Sequence, residues 1–186
     1  MANLVDDLKN ALSSLVSGVG DVVATTRDVA KENIVNTLKA GGEVTTTSLG
    51  TAGQVVSEGI KVASETGVST TEATTGLVTG VIEGVKEVGG DIGEVATEAA
   101  QMAVKSASEI GKDVGETAVS AVLGAVNAAR DTGSDIGELA KDAVKGTLKA
   151  ADEIGSEAGS IVRKALLNAV ALPHDIIDTL LTGKTE

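Results

Sequence analysis

His174 is the single imidazole in this 186-residue chain, and it stands beside Asp175 and four residues before Asp178 in ALPHDIIDTLL. A histidine held by a carboxylate can act as a general base once a serine hydroxyl comes within hydrogen-bond reach. The sequence holds no Cys and no second His, so neither a zinc site nor a Cys/His pair can be assembled. A surface histidine opening a helix is the simpler reading of the same residues. Glu109, Asp113 and Glu116 line one helical face at three- and four-residue spacing and could attract a divalent ion. They lack the loop pattern of an EF-hand, and a solvated acidic face accounts for them. The glycines of GTAGQVVSEG, Gly50 to Gly59, lack the Lys-Ser/Thr that completes a phosphate loop. Threonine runs near Thr25, Thr45 and Ser69 change offset from unit to unit, which reads as caps and polar-face residues. No catalytic, metal or cofactor site follows, and the chain reads as non-enzymatic.

The composition points the same way. There are no aromatic residues, one Pro (Pro173) and 23 Gly, and the formal net charge is -12. Nucleic acid is excluded as an expected partner, because phosphate binding needs clustered cations and single-strand stacking needs aromatic rings. The start MANLVDDLKNALSSL carries Asp6, Asp7 and Lys9 where an export signal needs an unbroken apolar run. No uncharged run approaches the ~18 apolar residues of a spanning helix. With no Cys, a cytoplasmic location is the expectation.

Organisation lies in a repeat. Steps of 22 residues from Asn3 reach Thr25, Thr47, Ser69, Asp91, Asp113, Asp135 and Glu157, nearly all of them residues that cap helix N-termini. Glu72, Glu94, Glu116 and Glu138 follow three residues after four of these, as in a capping box. Gly67, Gly89, Gly111, Gly133 and Gly155 precede the caps by two residues, where a left-handed helix ending wants glycine. Thirteen residues past each cap lies an aliphatic side chain: Val16, Leu38, Ile60, Ile82, Val104, Val126, Leu148 and Val170. Nine past lie Leu12, Ile34, Val56, Val78, Ala100, Val122, Val144 and Leu166. Together they form a broad apolar stripe on a helix, with Lys141, Asp142, Lys145, Lys149 and Asp152 filling the opposite face of one unit.

The fold expected is all-α: a tandem array of about eight 22-residue amphipathic helices over residues 1–172, then a short helix and tail over 173–186. Each helix stops at glycine and restarts, after a one-residue spacer, at an Asp or Ser cap. The alternative is one or a few very long helices, since 22 is twice the 11-residue period of a gently right-handed supercoil. Four-spaced glycines such as Gly111 and Gly115 would then be notches for a neighbouring helix. Between Ala40 and Leu49 the helical signal is weakest, and EVTTTSL offers a competing strand.

The period and composition from about Asn3 to Val170 resemble the amphipathic repeats of exchangeable apolipoproteins, of synucleins and perilipins, and of group 3 late-embryogenesis-abundant proteins. Three functions follow as expectations. Small-residue faces that bury little in a lone chain would pack against other copies in an oligomer or filament. The resemblance to apolipoproteins implies a coat on a lipid droplet or membrane surface. The resemblance to desiccation proteins implies a stress protectant.

Overall fold

The computed structural model describes residues 2–16, 20–41 and 45–183, and the elements among them are all α-helices. They are α1 (Ala2–Val16), α2 (Val22–Gly41), α3 (Thr45–Thr66), α4 (Thr70–Glu87), α5 (Ile92–Glu109), α6 (Val114–Thr132), α7 (Ile136–Ile154), α8 (Ser156–Asn168) and α9 (His174–Thr182). The chain is thus a tandem array of separate helices, not a continuous rod. Thr45 to Leu49 of the EVTTTSL stretch is helical, whereas Glu43 and Val44 lie outside the described residues, as does the tail from Lys184 to Glu186.

Each helix packs on its neighbour in sequence and also on the helix after that, so even-numbered and odd-numbered helices form two layers. From α3 to α8 consecutive helices reverse direction at a tight turn, and helices within a layer are therefore parallel. Parallel alignment shows in the contacts of Thr75 with Ser120 and of Thr79 with Gly124, both between α4 and α6. The structural unit is a helix pair of two sequence repeats, stacked in the manner of an α-solenoid. Parallel dipoles repel within a layer, and the opposed layer counters them. After Pro173 the odd layer continues with α9, which packs on α7 and α8.

The core is the seam between the layers. At the position nine past each expected cap, every side chain from Leu12 to Leu166 is buried. Its partner position thirteen past is buried from Leu38 to Val126 and half-buried at Leu148. At the two ends this register departs from expectation: Val16 is 63 % exposed and Val170 91 % exposed. Val16 is the last residue of α1, and Val170 lies beyond the end of α8, so neither has a next turn of helix to pack under.

A lone chain buries far more than the small side chains suggest. Its accessible surface is 8342 Å² at 18.4 kDa, where a compact monomer of that mass exposes about 8200 Å². Close approach replaces side-chain bulk. A Cβ on Gly84 would stand 2.9 Å from Ile34 Cγ2 and 3.1 Å from the Lys31 carbonyl, and one on Gly80 would meet the Arg27 carbonyl and Ala30. Gly76, Gly80 and Gly84 thus form a flat, four-spaced track on α4 along which α2 lies. Gly124 on α6 and Gly146 on α7 receive the Thr75 and Thr97 carbonyls in the same way.

Threonines complete these contacts. Thr79 Oγ1 lies 2.7 Å from the Thr75 carbonyl of its own helix and 3.0 Å from the Gly124 carbonyl of the next, and Thr97 Oγ1 reaches the Gly93 and Asp142 carbonyls at 3.1 and 3.2 Å. Thr26, Thr74 and Thr75 are buried, which corrects the reading of their runs as caps and polar-face residues, and Thr79 is buried as well. A hydroxyl donating to a helix carbonyl hides its polarity, so threonine enters this core as a small branched residue.

Two glycine substitutions separate backbone conformation from packing. Gly111→Ala meets open space but a φ of +69°, and should lower stability by about 1 kcal/mol. Gly124→Val forces a side chain into the Thr75 carbonyl, 2.7 Å from the Cβ position, and should cost about 1–3 kcal/mol or more. Urea denaturation of both variants checks the ranking.

Candidate functional site

The features that recur across the central units are the turns and a set of charges beside them. At four turns the helix ends in the same hydrogen bonds. The N–H of Val68, Gly90, Lys112 and Ser134 donates to the carbonyl five residues back, at 2.8–3.0 Å, while Gly67, Gly89, Gly111 and Gly133 take φ of +67° to +78°. This is the Schellman ending, and its left-handed residue favours glycine because a Cβ would crowd the carbonyl. One residue after each of Val68, Gly90, Lys112 and Ser134 comes the cap. Ser69 Oγ accepts the Glu72 N–H at 3.3 Å, and Asp91, Asp113 and Asp135 accept those of Glu94, Glu116 and Glu138 at 2.8–2.9 Å. The capping glutamates add negative charge to the positive end of each helix.

The flanking units differ. Gly155 breaks the chain at φ +150°, but α8 starts directly at Ser156 with no side-chain cap, so Glu157 lies in the first turn and is not the cap expected. Nearer the N-terminus the helices begin ahead of the expected register: Asn3, Thr25 and Thr47 all lie inside helices. Asp21 caps α2 in place of Thr25, accepting the N–H of Val23 at 2.8 Å and of Ala24 at 3.2 Å. His174 is exposed at the start of α9, as are Asp175 and Asp178. Among the described residues no three His, Cys, Asp or Glu side chains are grouped to hold a metal ion, and no helix is long and apolar enough to cross a membrane.

A second register, missed in the reading of the caps, runs through the charges. Steps of 22 from Asp21 reach Glu43, Glu65, Glu87, Glu109, Asp131, Glu153 and Asp175, an acid every time. From Glu65 to Glu153 these acids sit near helix C-termini, where the dipole disfavours them, whereas Asp21 caps α2 and Asp175 lies in the first turn of α9. The compensation comes from the preceding helix of the same layer. Lys39 Nζ lies 3.5 Å from Glu87, Lys61 4.0 Å from Glu109, and Lys105 pairs with Glu153. Each of these lysines is also 22 residues or a multiple of it from the others. The hydrogen bond from Lys105 holds the Glu153 carboxyl below the usual range.

Position 83 breaks this pattern. In the lysine register it holds Glu83, facing Asp131, so α4 and α6 meet with two acids where α2 and α4, α3 and α5, and α5 and α7 have an acid and a base. Glu83 is 8 % exposed, and its Oε1 is buried with no hydrogen-bond partner. Burial pushes its carboxyl above the usual range, Arg27 and Lys31 pull it down, and Asp131 pushes it up again. Arg27, Lys31, Glu83, Lys86, Glu87, Asp131 and Thr132 line a cleft of 420 Å³ there. Its ion pairs are loose: Lys31 Nζ stands 3.7 Å from Glu83 and 3.6 Å from Glu87, and Arg27 3.8 Å from Asp131.

Asp113→Ala should lower stability by about 1 kcal/mol through loss of the α6 cap, read as a fall in the urea midpoint. Lys105→Met should move the Glu153 titration up toward the ordinary glutamate range in carboxyl NMR while the melting temperature barely moves, since the pair is solvent-exposed. In comparisons with protein-family models, with curated proteins and with solved structures, nothing matches this chain.

Proposed function

We propose that this chain is a non-enzymatic structural protein that associates with further copies of itself through the small-residue helix faces that also build its own layers. Within one chain those faces close on each other. Association then proceeds by exchange: a glycine turn opens, and helices of one copy complete a layer of another.

The equivalence of successive contacts carries this reading. Thr75 to Ser120, Thr79 to Gly124 and Thr97 to Asp142 all span 45 residues, in the even layer for the first two and the odd layer for the third. Gly124 and Gly146 receive a threonine carbonyl in the same manner. A helix from a second copy, entering at the same register, meets nearly the same partners as its own, so the exchange loses few contacts. Repeat proteins whose units are interchangeable are prone to such misassembly and swapping.

A lipid-surface coat is the second reading, favoured by the one-sided burial along helices such as α2 and α7 and by the resemblance in period to apolipoprotein repeats. Parting the two layers would present continuous stripes of Ala, Val, Ile and Leu to a droplet or loosely packed membrane, with the charged faces outward.

Light scattering on protein refolded across a range of concentrations tests the first reading: multiples of the 18.4 kDa chain should grow with concentration. A single monomeric species throughout would remove it. Neutral vesicles test the second, which requires co-flotation with retained helical circular dichroism.

A further inference from the structure

We propose that Glu83 and Asp131 form a proton-dependent clasp between α4 and α6, which draws the even layer together in mildly acidic solution and loosens it as pH rises. Three observations meet at this point. The first is the register: lysine occupies the equivalent position at Lys39, Lys61 and Lys105, each paired with the acid of the next helix in its layer, whereas here an acid faces an acid. The second is the orphaned Oε1 of Glu83, a buried oxygen without a donor in a structure that otherwise satisfies its buried side-chain polar atoms among the described residues. The third is the cleft, whose cations stand off from both carboxylates at 3.7 and 3.8 Å and leave neither tightly neutralised.

Two carboxylates are both acceptors, so nothing bonds them until one carries a proton. With the proton on Glu83, its O–H donates to the Asp131 carboxylate, and one short bond joins the helices where a lysine joins them elsewhere. The groups facing Glu83 are Arg27 and Lys31 from α2, Asp131 from α6, and Lys86 and Glu87 from its own helix. The helices α3 and α5 also pack on α4 and contribute none of the lining residues. Arg27 is shared with Asp28, at 3.1 Å, and Lys31 with Glu87, so neither cation is free to take up Glu83 alone.

Burial raises the Glu83 carboxyl in the fold above its value in the unfolded chain. The stabilisation is therefore complete below the ordinary glutamate range and is lost as pH rises through the raised value. A neutral amide keeps the donor at every pH. Glu83→Gln should match the wild type below the ordinary glutamate range, at about pH 3.5, and exceed it at pH 8, by about tenfold in the unfolding equilibrium constant for each pKa unit of elevation. Groups remote from Glu83 contribute equally to both proteins, so the difference between them isolates the cleft around Glu83 and Asp131. Asp131→Asn should likewise flatten the pH dependence, because its amide donates to an ionised Glu83.

The decisive measurement needs no variant: a carboxyl NMR titration of the wild type, with hydrogen exchange of α6 amides at pH 5 and pH 8. A Glu83 titration above the ordinary range, with α6 protection falling as Glu83 ionises, supports the clasp. A Glu83 that titrates in the ordinary range, or α6 protection that ignores its ionisation, overturns it. So does a wild-type-to-Glu83→Gln difference that is equal at about pH 3.5 and at pH 8.

Discussion

Everything in this fold depends on how closely parallel helices can approach within a layer. With no aromatic side chain and few large aliphatic ones, the chain cannot fill wide spaces between helices. Glycine, alanine and threonine let backbones draw together until side chains of one helix touch the peptide groups of the next. Glycine inside a helix costs about 1 kcal/mol relative to alanine, and the close contacts along α4, α6 and α7 offset that cost. Dispersion between backbones at van der Waals distance takes the place that large hydrophobes fill in most cores.

That constraint explains why the turns are so regular. A layer of parallel helices holds register only if each helix has the right length and restarts in the right direction. The Schellman glycine ends the helix, and the capping Ser or Asp one residue after the spacer begins the next, so the reversal occupies very little chain. Where the cap is missing, between α7 and α8, the second helix starts at once and the array soon ends in the shorter α8 and α9. At the other end Asp21 takes over as the cap of α2, and Val16 is left in solvent.

The charges perform a related task. An acid near the C-terminus of each helix from α3 to α7 is unfavourable by itself and becomes acceptable when the neighbouring helix supplies a lysine. Such pairs contribute little energy at the surface, but they penalise a slipped layer by leaving acids against helix carbonyls. The pair at Glu83 and Asp131 departs from this scheme inside a partly closed cleft, which is why a proton can stand in for the missing amine. A local rule broken at one unit and kept at its neighbours marks the point where the array can respond to its surroundings.

Much of this was legible in the residues. Helix type, the 22-residue period, the stops at Gly67, Gly89, Gly111 and Gly133, and the caps at Ser69, Asp91, Asp113 and Asp135 depend on hydrogen bonds within a few residues, so local sequence settles them. The apolar stripe was equally plain, because burial of one helical face repeats with the helix itself. Which neighbour each face meets is a different kind of fact. Thr75 reads as a polar-face residue until the Ser120 carbonyl of α6 stands beside it, and the use of Gly76, Gly80 and Gly84 is visible only once α2 lies along them. The acidic register could be counted in the sequence, yet its purpose depends on lysines 48 residues earlier that only the layered stacking brings alongside. Short-range hydrogen bonding fixed the helices and their ends; the pairing of each helix with the second one after it, and hence the fate of every threonine, glycine and charge between them, was decided by packing that the whole chain performs at once.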